Sequence, residues 1–167
     1  VVYVTHSIPD TMQDASAVTG PGYREQHEDV QRTIDEQLAA HFGVSLPSSL
    51  AYCYGLAIHD PVLEPDVNAH LEQLAADGVT TVVIAPIGFI SDHMEVAFDL
   101  DIEAMEAAAE HGITAARAGT VGVHPAFVSG IVDMIIERAA RELGAHVVVL
   151  VNEVRQQPLV VCCHVKH

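Results

Sequence analysis

Short apolar runs of strand length alternate along this chain with longer amphipathic segments closed by glycine, and that alternation leaves few folds open. Residues 1–5 (VVYVT), 49–57, 80–84 (TTVVI), 113–118 and 146–151 read as strands. Helices are predicted over residues 23–42, 66–77, 92–111 and 125–143. Gly43, Gly78, Gly112 and Gly144 supply the stops, Asp66 an N-cap, and Pro125 a favourable first-turn residue. Residues 7–22 read as a loop on the strength of Pro9, Gly20, Pro21 and Gly22, and residues 60–66 as a proline-rich connection. Strands separated by helices form right-handed βαβ units. The expected fold is therefore α/β, a three-layer open parallel sheet flanked by helices. Trp is absent and aromatic residues make up 5%, so the core must come from Ala, Val, Ile and Leu, which suits parallel strands covered on both faces.

The 167 residues fit one domain, with no internal repeat and no composition shift to mark a linker. The chain opens inside an apolar β-branched run (Val1, Val2, Val4) without an initiator Met, from which we expect an upstream part of a longer protein. Charge is lopsided: 23 Asp and Glu against 7 Lys and Arg, a formal −16 with His neutral. Such a surface cannot neutralise phosphates, which argues against nucleic acid, and an anionic membrane repels it. It attracts cations instead. Cys53, Cys162 and Cys163 are too few and too oddly placed for a disulfide framework, so a reducing cytoplasm is expected. No apolar run approaches the ~20 residues of a spanning helix, and no signal peptide or membrane anchor is evident.

In an open parallel sheet, ligands bind beyond the carboxyl ends of the strands. Two such ends carry unusual residues: Thr5-His6-Ser7-Ile8-Pro9 and Pro86-Ile87-Gly88-Phe89-Ile90-Ser91-Asp92-His93-Met94-Glu95. Neither has the glycine spacing of a dinucleotide fingerprint, and there is no P-loop. An imidazole at position 6 can accept a proton or ligate a metal; the bland alternative is a loop His bonded to a backbone carbonyl. At ~100° per residue, Asp99 lies ~40° from Glu95, Glu106 ~20°, Glu110 ~60° and Glu103 ~80°. These acids form a stripe opposite an apolar face of Val96, Leu100, Ala104, Ala107 and Ala108. A solvated helix face accounts for the far end of the stripe. At its start, acids spaced four apart repel one another with no nearby Lys or Arg, and a cation relieves that repulsion. His6 and Glu95 on neighbouring strand ends would face each other across one cleft, where they could take two protons from a substrate.

Both stretches closely resemble ferrochelatases, and the longer one is highly specific. Supporting matches are Gly22-Tyr23-x-x-Gln26, Leu63-Glu64-Pro65-Asp66, Asp99-Leu100-Asp101-x-Glu103-Ala104 and Pro125-x-Phe127. The resemblance covers residues 2–143 and corresponds to the C-terminal half of a family built from two similar α/β lobes. It implies a single chelatase-like, Rossmann-like lobe over residues 1–167, with the N-terminal lobe absent from this chain. It also implies insertion of Fe²⁺, a substrate here, into a porphyrin in haem biosynthesis. The porphyrin would be coproporphyrin III, as in the bacterial relatives this sequence resembles, or protoporphyrin IX. By the same resemblance His6 and Glu95 are the catalytic pair and also meet the metal. Asp99 and Glu103 are further metal-guiding carboxylates on a helix with a π-type distortion, and Ser91, Asp92 and His93 shape the helix entry.

The sequence also departs from the family. After Cys53 it runs Tyr54-Gly55-Leu56-Ala57-Ile58-His59-Asp60-Pro61, without the Ser-Arg-x-Gly-Pro and Trp usual there. Some ferrochelatases carry a [2Fe–2S] cluster, but Cys53, Cys162 and Cys163 cannot provide four thiolates. A second reading is a non-catalytic porphyrin- or metal-binding module, since a cleft needs two walls and this chain supplies one.

Overall fold

The computed structural model describes residues 1–53 and 61–143. One compact unit comprises Val1–Thr120, and a second begins at Val121. In the first, four strands form a single sheet: β1 (Val2–His6), β2 (Ser49–Cys53), β3 (Thr81–Pro86) and β4 (Thr114–Arg117). All pairings are parallel and the order is β2-β1-β3-β4. The expected α/β architecture with a parallel sheet is therefore present. The fifth strand expected at 146–151, the tail with Cys162 and Cys163, and the divergent loop at 54–60 lie outside the described residues.

One face of the sheet carries the core. Val2, Val4, Ala51, Cys53, Val82 and Ile84 point into it and meet Val67 and Leu71 of α3 (Val67–Ala76). The same core takes Val96, Leu100, Ala104 and Ala108 from the helix that follows β3. The sequence dictates the limits of α3: the Asp66 side chain accepts from the Asn68 and Ala69 N–H groups, and Gly78 takes φ 84° just beyond its end. On the opposite face lies α2 (Tyr23–Phe42), ended by Gly43 at φ 72°. It buries no residue fully and is tied to β1 by hydrogen bonds, among them Tyr3 Oη to Asp35 Oδ1 at 2.8 Å.

One local expectation needs correction. Residues 7–22 are not all loop, because Asp10–Ser16 forms a short helix, α1, whose first turn bonds Met12 and Gln13 N–H to the Pro9 carbonyl. Pro9 and the Gly20-Pro21-Gly22 group bracket this helix rather than exclude it. The helix expected over 92–111 carries the π-type distortion that the resemblance implies: a π-helix, Val96–Glu103, precedes α4 (Ala104–Glu110). Here the Ala104 N–H reaches back five residues to the Asp99 carbonyl. The described residues of the second unit include α5 (Pro125–Leu143), with Pro125 at its first position as expected.

The chain leaving β3 crosses the end of β1 at very close range. Ile87 and Gly88 N–H both donate to the Val4 carbonyl, at 2.9 and 3.3 Å. A Cβ on Gly88 would fall 2.9 Å from the Thr5 Cα, and Thr5 is fully buried. Backbone cannot yield there as a side-chain tip can, so only glycine fits. Gly88→Ala should cost ~1–3 kcal/mol, read as a lower melting temperature. An unchanged melt would show that the crossing is looser than this geometry.

Candidate active site

The path of the chain fixes where a ligand can bind. From β1 it moves outward to β2, then returns past β1 to β3 on the other side. The carboxyl ends of β1 and β3 therefore flank the switch point of the sheet, where loops diverge and open a crevice. His6 is the last residue of β1, and Glu95 stands at the entry of the π-helix that follows β3.

The structure brings these two residues together. His6 Nδ1 lies 2.5 Å from Glu95 Oε1, with side chains 43% and 40% exposed. The contact lacks hydrogen-bond geometry, so Nδ1, although covered, has no hydrogen-bond partner. The imidazole and the carboxylate are thus in direct contact, an ion pair whenever the imidazole carries a proton.

The segment carrying Glu95 is pinned on both sides. His93 packs edge-on against the buried Phe89, with ring centroids 5.5 Å apart, and its Nδ1 accepts a long 3.5 Å bond from Val96 N–H. Arg117 on β4, with a side chain only 7% exposed, holds Asp92 through Nη1 at 2.9 Å. It grips Asp101 with Nη2 at 2.9 Å and with Nε. One guanidinium thereby ties the approach to the π-helix to its middle. Nothing in the local sequence predicts this clamp, because Asp92 and Asp101 are remote from position 117.

Asp99 and Glu103 follow Glu95 at four-residue intervals. Asp99 is half-buried and Glu103 exposed. Burial, and then the Glu95 and Glu103 charges, hold the Asp99 carboxyl above its ordinary range, while His6 acts the other way. No Lys or Arg appears among these influences. Arg117 is engaged by Asp92 and Asp101 instead, so the acids at 95, 99 and 103 are left to repel one another. Glu106 and Glu110 are exposed, as a solvated face requires. Among the described residues, no three His, Cys, Asp or Glu side chains converge into a group that could hold a metal ion.

Cys53 lies beside His6 in the sheet register and is 2% exposed. Burial, followed by the Asp99, Asp66, Glu95 and Glu103 charges, pushes its thiol up. Cys53 is the only cysteine among the described residues, and one buried thiol does not supply the four ligands of a [2Fe–2S] cluster. No helix among the described residues is long and apolar enough to cross a membrane.

A family model described as Ferrochelatase matches residues 1–139, which include the whole sheet, the His6–Glu95 pair and the π-helix. The chain belongs to the ferrochelatase family. Among curated relatives, a coproporphyrin III ferrochelatase of Streptomyces griseus is 46% identical over 150 residues, covering 86% of this chain and 40% of the relative. One from Streptomyces coelicolor is 44% identical over 153 residues, or 88% of this chain and 41% of the relative. One from Propionibacterium freudenreichii is 40% identical over 145 residues, or 86% and 41%. This ferrochelatase chain thus spans about two fifths of the length of the curated relatives it matches.

Proposed function

We propose that this chain is the catalytic C-terminal lobe of a cytoplasmic coproporphyrin III ferrochelatase, which inserts Fe²⁺ into the macrocycle during haem biosynthesis. The observation that carries the reading is the His6–Glu95 contact at the sheet's switch point, on the two most specific sequence motifs of the chain. Insertion replaces two pyrrole N–H protons by one divalent cation, so the site must accept two protons while admitting a metal. An imidazole and a carboxylate on one side of the ring supply both capacities without rearrangement. An N-terminal lobe would form the facing wall and close the crevice around the flat substrate.

Asp99 and Glu103 are assigned to metal supply, one and two steps outward from Glu95. A cation moving along them relieves repulsion that the fold leaves uncompensated. Because the folded state holds the Asp99 proton more tightly than the unfolded chain does, ionising Asp99 costs stability. That cost sets in as pH rises through the unfolded carboxylate range and is complete above the raised folded value. Asp99→Asn should therefore raise the melting temperature at neutral pH. Asp99→Asn and Glu103→Gln should each raise the apparent metal KM several-fold with kcat within about two-fold. An equal fall in kcat at saturating metal would remove them from a supply role.

The function itself is tested by anaerobic iron insertion, followed by absorbance, with the upstream lobe present. Coproporphyrin III should be metallated with a higher kcat/KM than protoporphyrin IX. Equal or reversed preference would overturn the substrate assignment. Porphyrin binding with no insertion would favour the non-catalytic module.

A further inference from the structure

The strand end that presents His6 is held from the α2 side by a run of four polar contacts. Tyr23 Oη donates to the His6 carbonyl oxygen at 2.8 Å and also lies 2.8 Å from Thr5 Oγ1. Thr5 Oγ1 is 3.0 Å from His27 Nε2, and His27 Nδ1 is 2.8 Å from the Tyr23 carbonyl oxygen. The Tyr23 and His27 rings pack with centroids 4.3 Å apart. Burial holds the Tyr23 phenol above its ordinary range, so it keeps its hydrogen as a donor.

The sheet explains why the His6 carbonyl needs an outside donor. Peptide groups in a strand alternate between its two neighbours. The Val4 carbonyl accepts from Ile87 on the β3 side, and the Ser7 N–H donates to Cys53 on the β2 side. The His6 carbonyl therefore faces β3, where pairing has already stopped at Val4–Pro86. Tyr23 supplies the bond that a longer β3 would have made. Thr5, one residue earlier, is locked by the same hydroxyl and by His27.

We propose that Tyr23 is a positioning residue for His6: its hydroxyl fixes the His6 peptide beyond the end of β-pairing and, with His27 acting through Thr5, sets the direction of the imidazole toward Glu95. This rests on the proposed role of His6 in insertion. It assigns to α2, which contributes no fully buried residue, a task in the chemistry rather than in the core.

The test uses the protein with its upstream lobe and zinc insertion into coproporphyrin III. Tyr23→Phe should lower kcat roughly 10-fold with the porphyrin KM within about two-fold. Tyr3→Phe is the control: it removes the Tyr3–Asp35 bond between the same helix and strand, away from His6. It should lower the melting temperature comparably and leave kcat unchanged. His27→Gln, one link further from His6, should lower kcat by a smaller factor and carries the test if Tyr23→Phe does not fold. Unchanged kcat in Tyr23→Phe, or in His27→Gln where that variant carries the test, overturns the inference. An equal loss in Tyr3→Phe also overturns it. His6→Ala measured alongside separates the two levels, because insertion retained in that variant would defeat the parent reading instead.

Discussion

His6→Ala is expected to abolish metal insertion while leaving porphyrin affinity within a few-fold. The imidazole sits at the switch point of the sheet in contact with Glu95, and its Nδ1 makes no hydrogen bond that the fold would lose. Removing it takes away a proton acceptor at the ring, an effect typically of ~10²–10⁴ when an acid–base group is lost. Here the same group is also proposed to meet the metal, so the loss should reach the detection limit. Porphyrin binding draws on the broad apolar faces of the ring and should survive. Metalloporphyrin formation at near-normal rate would remove His6 from the mechanism.

Glu95→Gln should lower insertion by ~10²–10⁴ with an unchanged thermal melt. The amide has the shape of the carboxyl it replaces. The side chain is 40% exposed and its contact with His6 lacks hydrogen-bond geometry, so the fold loses little. What disappears is the negative charge and the capacity to take a proton. A variant with normal turnover would leave Glu95 as the first residue of a solvated helix face. A lowered melt would mean that the charge contact contributes to folding, and kcat would then have to be read at matched stability.

Much of this arrangement is legible in the residues. The limits of α2 follow from Gly22 and Gly43, and those of α3 from Asp66 and Gly78, because capping and left-handed stops are local chemistry. The meeting of His6 and Glu95 follows from strand ends and parallel topology, without any distance being known. Other features depend on contacts remote in sequence. Arg117 finds Asp92 and Asp101 only once β4 lies beside β3. Thr5, Tyr23 and His27 meet only once α2 folds over β1. The short α1 carries too few residues for a periodic signal.

The π-helix is a middle case. A pattern read at 3.6 residues per turn drifts by ~40° over four residues, yet Val96, Leu100 and Ala104 are all buried at strict four-residue spacing. Glu95, Asp99 and Glu103 repeat at the same interval. Two parallel rows, one apolar and one acidic, both spaced by four, fit a wider turn and an α-helix alike, so the spacing alone does not mark the π-helix.

Insertion itself is reached most directly by a single-turnover measurement. Protein carrying the proposed upstream lobe is mixed with one equivalent of coproporphyrin III, and the ring's absorbance is followed after zinc is added. The wild-type protein should convert bound porphyrin to metalloporphyrin, and Glu95→Gln should hold bound but unconverted porphyrin on the same timescale. Porphyrin that binds the wild-type protein tightly and stays metal-free at saturating zinc would contradict the proposed function.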